Sequence, residues 1–193
     1  MILHVVLWYT GEARGVIKDM KTTFILVRHG EPRYDEVIER GYVGMGYEFG
    51  KLTDNGIAQA EARAKDPLLK GAEIIISSPY TRALQTAAIL SRLTDTPLVV
   101  ENDLHEWMPD TKFIFDQDAN ASFQEYLSAE GVRTLNHTYR WESYEELKKR
   151  VHLTLIKYTA YRKVIVVCHG IVISALTRFD DVIEHCGVRE IEL

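Results

Sequence analysis

Two short apolar runs in this chain end in a histidine followed by a glycine. The first is Ile25-Leu26-Val27-Arg28-His29-Gly30, and the second is Ile165-Val166-Val167-Cys168-His169-Gly170. Packing gives a buried strand no reason to end in polar residues, whereas ligands of open α/β sheets bind just beyond the carboxyl ends of the strands. Parallel strands would bring both histidines to one edge of the sheet, so the pattern predicts an anion site there.

Two arginines are expected at the same edge. Arg28 precedes His29 directly, and Arg82 falls in the first turn of a helix that follows another predicted strand. Their planar guanidinium groups match phosphate oxygens, and a protonated His169 would add a donor. Neighbouring positive charge would keep His29 neutral, so that it could attack phosphorus as a nucleophile. The cations would stabilise the phosphoryl oxygens, so the chemistry requires no metal or other cofactor.

The leaving alcohol of a phosphate ester needs a proton. Glu106, in Leu104-His105-Glu106-Trp107, is the first candidate for the general acid. Partial burial and a nearby dianionic phosphate would raise the pKa of its carboxyl. Asp103 and Asp110 are alternatives that could assist or replace Glu106.

Alternating strand and helix patterns would position these residues. Apolar runs predict parallel strands, and Ala/Gln/Glu-rich or amphipathic segments predict the helices that join them. The chain is therefore expected to form an α/β fold. Strands are predicted at 24–27, 73–77, 98–100 and 163–167, helices at 53–70, 81–93, 143–161 and from about 171, and a last edge strand at 187–193.

Two longer segments have no clear period. Residues 31–51 are rich in glycine and aromatic residues, so we expect an irregular loop. Gly50-Lys51 does not complete a nucleoside-triphosphate loop, because Met45 replaces the first glycine and Leu52 replaces the Ser or Thr that would hold magnesium. Residues 111–140 are expected to form an inserted cover with short helices.

Composition limits the possible partners. The 193 residues suit one domain, and the net charge of -5 gives no general attraction to nucleic acid or to an anionic membrane. The two cysteines, Cys168 and Cys186, form no metal-binding pattern. They suit a reducing compartment, so we expect a cytoplasmic location.

The residues before the first predicted strand do not fit the α/β pattern of the rest of the chain. Met1 to Trp8 is apolar but lacks a basic segment and a cleavage site, which makes it a poor signal peptide. Met20-Lys21-Thr22-Thr23 looks like a natural chain start, so we expect residues 1–21 to be an N-terminal extension, the alternative being a genuine extra strand. Residues 22–193 would then be a single domain with the cover inserted at about 107–142.

The ordered set of motifs resembles the histidine phosphatase superfamily, also called phosphoglycerate mutase-like proteins, from about Thr22 to the C-terminus. The resemblance implies a three-layer α/β/α sandwich with a mostly parallel central sheet, and a phosphohistidine intermediate. By motif position His29 is the nucleophile and Glu106 the acid, and the phosphate pocket consists of Arg28, Arg82 and His169. The motifs are Arg28-His29-Gly30, Leu52-Thr53-Asp54-Asn55-Gly56 with Gln59-Ala60, Ser77-Ser78-Pro79 with Arg82-Ala83 and Gln85-Thr86, Leu104-His105-Glu106 and Cys168-His169-Gly170.

The chain also departs from the family pattern. Residues 32–35 read Pro-Arg-Tyr-Asp where the family often has a Thr and an Asn, which leaves part of the phosphate pocket undefined. Residues 107–110 read Trp-Met-Pro-Asp in place of a Gly-rich stretch. Cys168 replaces a common Ser or Thr, and we expect it to pack in the core.

The function expected from these residues is metal-independent hydrolysis of phosphomonoesters. The short cover and tail would let water reach a phosphoenzyme. Phosphoglycerate mutase-type transfer and a phosphate-binding regulatory module with vestigial activity remain alternatives. A small phosphorylated substrate is favoured over a phosphoprotein, and the sequence does not indicate an oligomeric state.

The remaining aromatic, basic and histidine residues receive no firm role. Aromatic residues near the site could stack on a substrate, but packing is the favoured interpretation. Arg33 could bind a second anion, although a solvated charge is the default. The aromatic residues are Tyr34, Tyr42, Tyr47, Trp107, Phe113, Phe115 and Trp141, and the histidines without a visible partner are His4, His105, His137, His152 and His185.

Overall fold

A computed structural model of the protein describes residues 21–193. In chain order its strands are β1 (Thr23–Arg28), β2 (Pro32–Arg33), β3 (Lys51–Leu52), β4 (Ile74–Ser77), β5 (Leu98–Val100), β6 (Lys163–Cys168) and β7 (Val188–Glu192). Its α-helices are α1 (Asp35–Glu39), α2 (Asp54–Arg63), α3 (Thr81–Thr94), α4 (Ala119–Ser128), α5 (Tyr144–Ile156) and α6 (Gly170–Leu176), and 3-10 helices lie at Gly44–Phe49, Pro67–Leu69 and Asn102–Leu104.

The central sheet has five strands in the order β5-β4-β6-β1-β7. The pairs β5-β4, β4-β6 and β6-β1 are parallel, and β7 closes the edge antiparallel to β1. The expected α/β fold with a mostly parallel sheet is therefore confirmed. Because Arg28 is paired in register with Cys168, strands β1 and β6 end level and deliver His29 and His169 to the same edge.

Alternate residues of the parallel strands enter two separate cores. On one face Leu26 and Val166 pack with Leu147 and Val172 from α5 and α6. On the other face Ile25, Ile165 and their neighbours pack with Ala83, Ala87 and Leu90 of α3. Since side chains of a strand alternate between faces, continuous apolar runs are what a sheet covered on both sides requires.

Capping residues begin the helices as the sequence suggests. The Thr53 hydroxyl accepts from the Gly56 amide at the start of α2, and Ser143 forms a capping box with Glu146 at the start of α5. Helix α2 ends at Arg63, earlier than predicted, because Pro67 lacks an amide hydrogen and restricts Asp66.

Two other features differ from the prediction. Helix α5 ends at Ile156 rather than near 161. The segment 31–51 is more regular than expected, since it contains α1, a 3-10 helix and the small β2-β3 ladder. The expected extension lies outside the described residues apart from Lys21, whose ammonium lies 3.1 Å from the Glu192 carboxylate. The division into an extension and one domain stays a prediction.

Two glycines let the end of β1 pack directly on the first turn of α2. A Cβ atom on Gly30 would stand 2.5 Å from the carbonyl oxygen of Gly56, and a Cβ on Gly56 would clash with the carbonyl oxygen of Glu31. Backbone cannot retreat as a flexible side chain can. These positions therefore need glycine for the close approach of the two segments.

We expect Gly56→Ala to destabilise the protein by about 1–3 kcal/mol, because the new methyl group overpacks the backbone of Glu31. Ala58→Gly, at an exposed position of the same helix, is the control. Ala58→Gly should lower the free energy of unfolding by about 1 kcal/mol through helix propensity alone. The two variants together would show that alanine is the more stable residue at position 58 and glycine at position 56. Urea unfolding checks both, and a more stable Gly56→Ala protein would contradict the close-packing explanation.

Candidate active site

The geometry around His29 fixes which ring nitrogen carries the proton. Its Nδ1 lies 2.8 Å from the carbonyl oxygen of Gly30, which can only accept a hydrogen bond. The Arg82 guanidinium, which can only donate, directs Nε at Nε2 of His29 across 3.2 Å. The proton therefore sits on Nδ1, and Nε2 presents a lone pair to the site.

The surroundings of His29 keep its imidazole neutral. The side chain is only 4% exposed, and burial lowers its pKa to about 3, with the positive charges of Arg82 and Arg28 acting in the same direction. The hydrogen bond to Gly30 opposes this shift without cancelling it. A neutral imidazole is the form that can attack an electrophile, once Nε2 is released from the hydrogen bond donated by Arg82.

His169 lies beside His29, as the register of the strands predicts. The ring centroids are 5.2 Å apart, and Nε2 of His169 is at hydrogen-bond distance, 2.7 Å, from the Ser78 hydroxyl. Burial, together with the charge of Arg82, lowers the pKa of His169 well below its ordinary value. The protonated donor expected from the sequence is thus a neutral ring in the unliganded protein. Its Nδ1 is buried without a hydrogen-bond partner among residues 21–193.

Arg82 connects His29 to a carboxylate that no sequence pattern indicated. Its guanidinium, 5% exposed in the first turn of α3, donates through Nη1 to the Glu48 carboxylate at 2.5 Å. It also lies over the ring of Tyr80, with Cζ 5.3 Å from the ring centroid. Glu48 stands in the 3-10 helix Gly44–Phe49, in a segment whose sequence has no period that could have placed it.

Arg28 lies on the opposite side of the cluster. Its Nη1 donates to the carbonyl oxygen of Ile183 at 2.5 Å, while its Nε is buried without a partner among the described residues. Burial lowers the pKa of this guanidinium, and the nearby Glu106 carboxyl partly offsets the effect. Arg28 therefore keeps a donor free for an anion.

Glu106 has the environment that a general acid needs. Burial raises the pKa of its carboxyl, and the Trp107 amide, which donates to Oε1 at 2.8 Å, opposes the shift. Asp110 has the opposite environment: two hydrogen bonds from Arg140 hold its pKa well below the usual range. Asp103 is exposed in the 3-10 helix Asn102–Leu104. Of the three, Glu106 has the environment that would suit a proton donor, and its catalytic role stays a prediction.

Arg150 holds the segment that carries Glu106, and no sequence pattern indicates this contact. Its guanidinium donates to both carboxylate oxygens of Glu142, at 2.6 and 2.8 Å. It also donates to the carbonyl oxygens of His105 at 2.9 Å and Glu106 at 3.2 Å. A charge on α5 thus fixes the backbone on which the acid stands.

His185, which received no role from the sequence, lies against His29. Its ring centroid is 5.7 Å from that of His29. The next residue, Cys186, donates its amide hydrogen to the carbonyl oxygens of Arg28 and His29. The connection between α6 and β7 therefore wraps the end of β1, a long-range contact that no local pattern could reveal.

The motif Leu52-Thr53-Asp54-Asn55-Gly56 holds the segment after the nucleophile. Thr53 and Asn55 donate to the Glu31 carboxylate at 2.9 and 2.7 Å, and Gln59 accepts from the Glu31 amide at 2.9 Å. These polar residues are therefore structural supports for the turn that follows His29.

Two cavities border the cluster. A cavity of about 550 Å³ lies beside Glu48, Tyr80 and Trp107 on the Arg82 side. Another of about 560 Å³ is lined by Arg28, Glu106 and an apolar wall that includes Tyr126. Both are large enough for a small organic ligand.

Other candidates turn out to be structural. Trp141 is fully buried and packs edge-on against Tyr126, so the preferred packing interpretation fits it. Arg33 is paired with Asp35 at the surface. Cys168 is fully buried, and burial raises the pKa of its thiol, as suits a core residue. Within residues 21–193 no group of three or more His, Cys, Asp or Glu residues could hold a metal ion, and no helix is long and apolar enough to cross a membrane.

Comparison with known proteins identifies the family. The model of the histidine phosphatase superfamily (branch 1) matches residues 24–180, which includes all five site residues named from the sequence. The chain belongs to the histidine phosphatase superfamily. A relative from Hydrogenobacter thermophilus, named "Putative phosphoserine phosphatase 2", is 32% identical over 161 residues, covering 78% of this chain and 74% of that protein. The prediction of an enzyme of the histidine phosphatase type is confirmed.

Solved structures of other members share the fold. A mycobacterial glucosyl-3-phosphoglycerate phosphatase superposes with a TM-score of 0.68 at 20% identity, covering 89% of this chain and 90% of that chain. Phosphoglycerate mutase from Bacillus anthracis gives 0.65 at 19% identity, with 90% and 88% covered. At these identities the likeness concerns the fold, which both hydrolases and mutases adopt.

We expect the His29 ring not to titrate between pH 7.5 and 5.0, because its pKa of about 3 lies below that range. An unperturbed imidazole titrates near 6.5. Ring-nitrogen NMR shifts, with the signals assigned by comparison with His29→Ala, provide the measurement. A midpoint near 6.5 would contradict the buried, neutral state.

We expect Arg150→Met to destabilise the protein by about 3–5 kcal/mol, since it leaves the buried Glu142 carboxylate without its partner. The matched double variant Arg150→Met with Glu142→Gln removes both charges and should recover most of that loss. Urea unfolding of the wild type, both single variants and the double variant measures the coupling. Additive single effects would show that the two side chains do not depend on each other.

Proposed function

We propose that this protein hydrolyses small phosphomonoesters without a metal ion, through a phosphohistidine formed at Nε2 of His29. The observation that carries the proposal is the neutral His29 lone pair directed at the buried guanidinium of Arg82. His169 lies beside His29, and the charge of Arg28 is close enough to help lower the pKa of His29. A phosphoryl group in this position would meet a nucleophile and stabilising positive charge together.

The reaction divides into two displacements. The phosphoryl oxygens draw the Arg82 guanidinium away from Nε2 of His29, which frees its lone pair. Nε2 then attacks phosphorus and the bond to the ester oxygen breaks, while Glu106 gives its proton to the departing alcohol. Glu106, now a carboxylate, then takes a proton from water as the water oxygen attacks phosphorus. The phosphorus–nitrogen bond breaks, inorganic phosphate leaves, and His29 and Glu106 return to their initial states.

The positive charge needed by the transition state can come from this chain. Arg28 and Arg82 supply planar donors that suit the phosphoryl oxygens. His169 is neutral before binding, but a dianionic phosphate in contact with its ring would raise its pKa and favour the protonated donor. These groups supply the electrostatic role that a metal ion has in other phosphatases.

Hydrolysis is favoured over the alternatives. The relative at 32% identity is named as a phosphatase, which supports a hydrolase acting on a small substrate such as phosphoserine. A binding module would not need a carboxyl with a raised pKa beside the anion site, yet Glu106 has one. Mutase-type transfer uses the same phosphohistidine chemistry and remains to be tested by assay.

The proposal is tested by steady-state assays across a phosphomonoester panel with EDTA present. The panel contains phosphoserine, 3-phosphoglycerate, p-nitrophenyl phosphate and a phosphotyrosine peptide. We expect turnover that survives EDTA and is lost in His29→Ala. Isomerisation of 3-phosphoglycerate that depends on a bisphosphoglycerate primer would favour the mutase. The absence of turnover by folded protein would favour a binding module.

We expect Glu106→Gln to lower kcat for alkyl phosphates by about 10²–10⁴-fold, because an alkoxide leaves poorly without a proton. The loss should be much smaller with p-nitrophenyl phosphate, whose leaving group is stable as an anion. Asp103→Asn removes an exposed carboxylate nearby and should leave both substrates unaffected. Equal losses on the two substrates in Glu106→Gln would exclude Glu106 as the acid.

A further inference from the structure

The Glu48 carboxylate occupies an anion position of the site. Arg82 uses Nε to hold the nucleophile and Nη1 to hold Glu48, at 3.2 and 2.5 Å. A phosphoryl group transferred to His29 must come close to this same guanidinium. Phosphate and Glu48 are therefore competitors for one cation, and the carboxylate must yield when a substrate binds.

The segment that carries Glu48 can release it at little cost. None of the residues of the 3-10 helix Gly44–Phe49 is buried. The Glu48 side chain is 26% exposed, so water can solvate its carboxylate as it leaves Arg82. Arg82 itself is buried, so the pair is exchanged and not simply broken: the incoming phosphate replaces the carboxylate as the negative partner of the guanidinium.

A freed Glu48 would remain at the wall of the cavity on the Arg82 side. That cavity, of about 550 Å³, combines carboxylates with aromatic side chains, and among the described residues that line it there is no Lys, Arg or His. A second anion on the leaving group would face like charge there. An ammonium group would face a carboxylate and aromatic rings, both of which attract cations. The lining includes Tyr47, Glu48, Tyr80, Trp107, Phe115 and Asp118.

We propose that Glu48 is a specificity-determining residue that selects phosphate esters of amino alcohols. The phosphate takes the place of Glu48 on Arg82, and the freed carboxylate pairs with the ammonium group of the leaving alcohol. The ion pair between Arg82 and Glu48 is thus replaced by two, one between Arg82 and the phosphate and one between Glu48 and the ammonium group. No charge is left without a partner. The inference rests on the proposed phosphatase function.

The test compares three esters that share a two-carbon leaving group. Phosphoethanolamine carries an ammonium, 2-hydroxyethyl phosphate a hydroxyl and phosphoglycolate a carboxylate. We expect kcat/KM of the wild type to fall about tenfold at each step from ammonium to hydroxyl to carboxylate, the effect of one charge-assisted contact. In Glu48→Gln the preference for ammonium over hydroxyl should fall to about one.

Two controls separate charge from position. Glu39→Gln removes an exposed carboxylate of α1 and should keep the wild-type order of the three esters. Glu48→Asp keeps the charge but withdraws it by one methylene group, and should retain part of the preference. A similar loss of preference in Glu39→Gln would show that net charge, and not Glu48, selects the substrate.

Binding of inorganic phosphate supplies a readout that does not depend on turnover. Calorimetry should show phosphate binding about tenfold more tightly to Glu48→Gln than to the wild type, because the internal competitor for Arg82 has been removed. Unchanged affinity would overturn the competition between Glu48 and phosphate.

The outcomes distinguish this inference from the proposed function. Equal turnover of the three esters, or a preference that survives in Glu48→Gln, would overturn the role of Glu48 while leaving the phosphatase intact. The first result is expected if the leaving group enters the cavity lined by Arg28 and Glu106 instead. If the folded wild type turned over none of the substrates, p-nitrophenyl phosphate included, the proposed phosphatase function itself would be refuted.

Discussion

The buried hydrogen bond from Arg82 to Nε2 of His29 is the contact on which the site depends. It places a permanent cation against an imidazole that is itself almost fully buried, so the ring stays neutral and its lone pair points toward the guanidinium. A buried cation also needs a negative partner, because desolvating a charge is costly without one. In the unliganded protein that partner is Glu48. The site is thus complete electrostatically before a substrate arrives, and an incoming phosphate must replace a carboxylate.

The fold serves mainly to hold this contact at one edge of the sheet. Strands β1 and β6 end level, which puts His29 beside His169, and the glycines at 30 and 56 allow the chain after β1 to pack directly on α2. Arg82 reaches the same edge because α3 begins just beyond the end of β4. Rigid strands and the first turn of a helix thus position the reactive groups, while the more irregular segments around them supply Glu48 and His185.

The features that could be predicted from the sequence are those determined by a few neighbouring residues. The strand ends and the first turn of α3 were predictable, because apolar runs and the Ser78-Pro79 turn before α3 are read over a few neighbouring positions. They located His29, His169 and Arg82. Glu48 and Arg150 were not predictable, because Arg82 and the carbonyl groups of His105 and Glu106 lie tens of residues away from them and their own segments give no signal of the contact. The early end of α2 is a different case: the composition of residues 53–70 favours helix, but Pro67 within that range cannot continue one. The roles of the five predicted site residues stay predictions, with an arrangement that supports them.

The central claim, that a phosphohistidine forms at His29, is tested most directly by the stereochemical course at phosphorus. The substrate is a phosphomonoester made chiral with oxygen isotopes, hydrolysed in isotopically labelled water, and the configuration of the phosphate product is measured by phosphorus NMR. Two successive in-line displacements, first by Nε2 of His29 and then by water, predict net retention. Net inversion would show that water attacks the substrate in a single step, and would contradict the covalent role of His29.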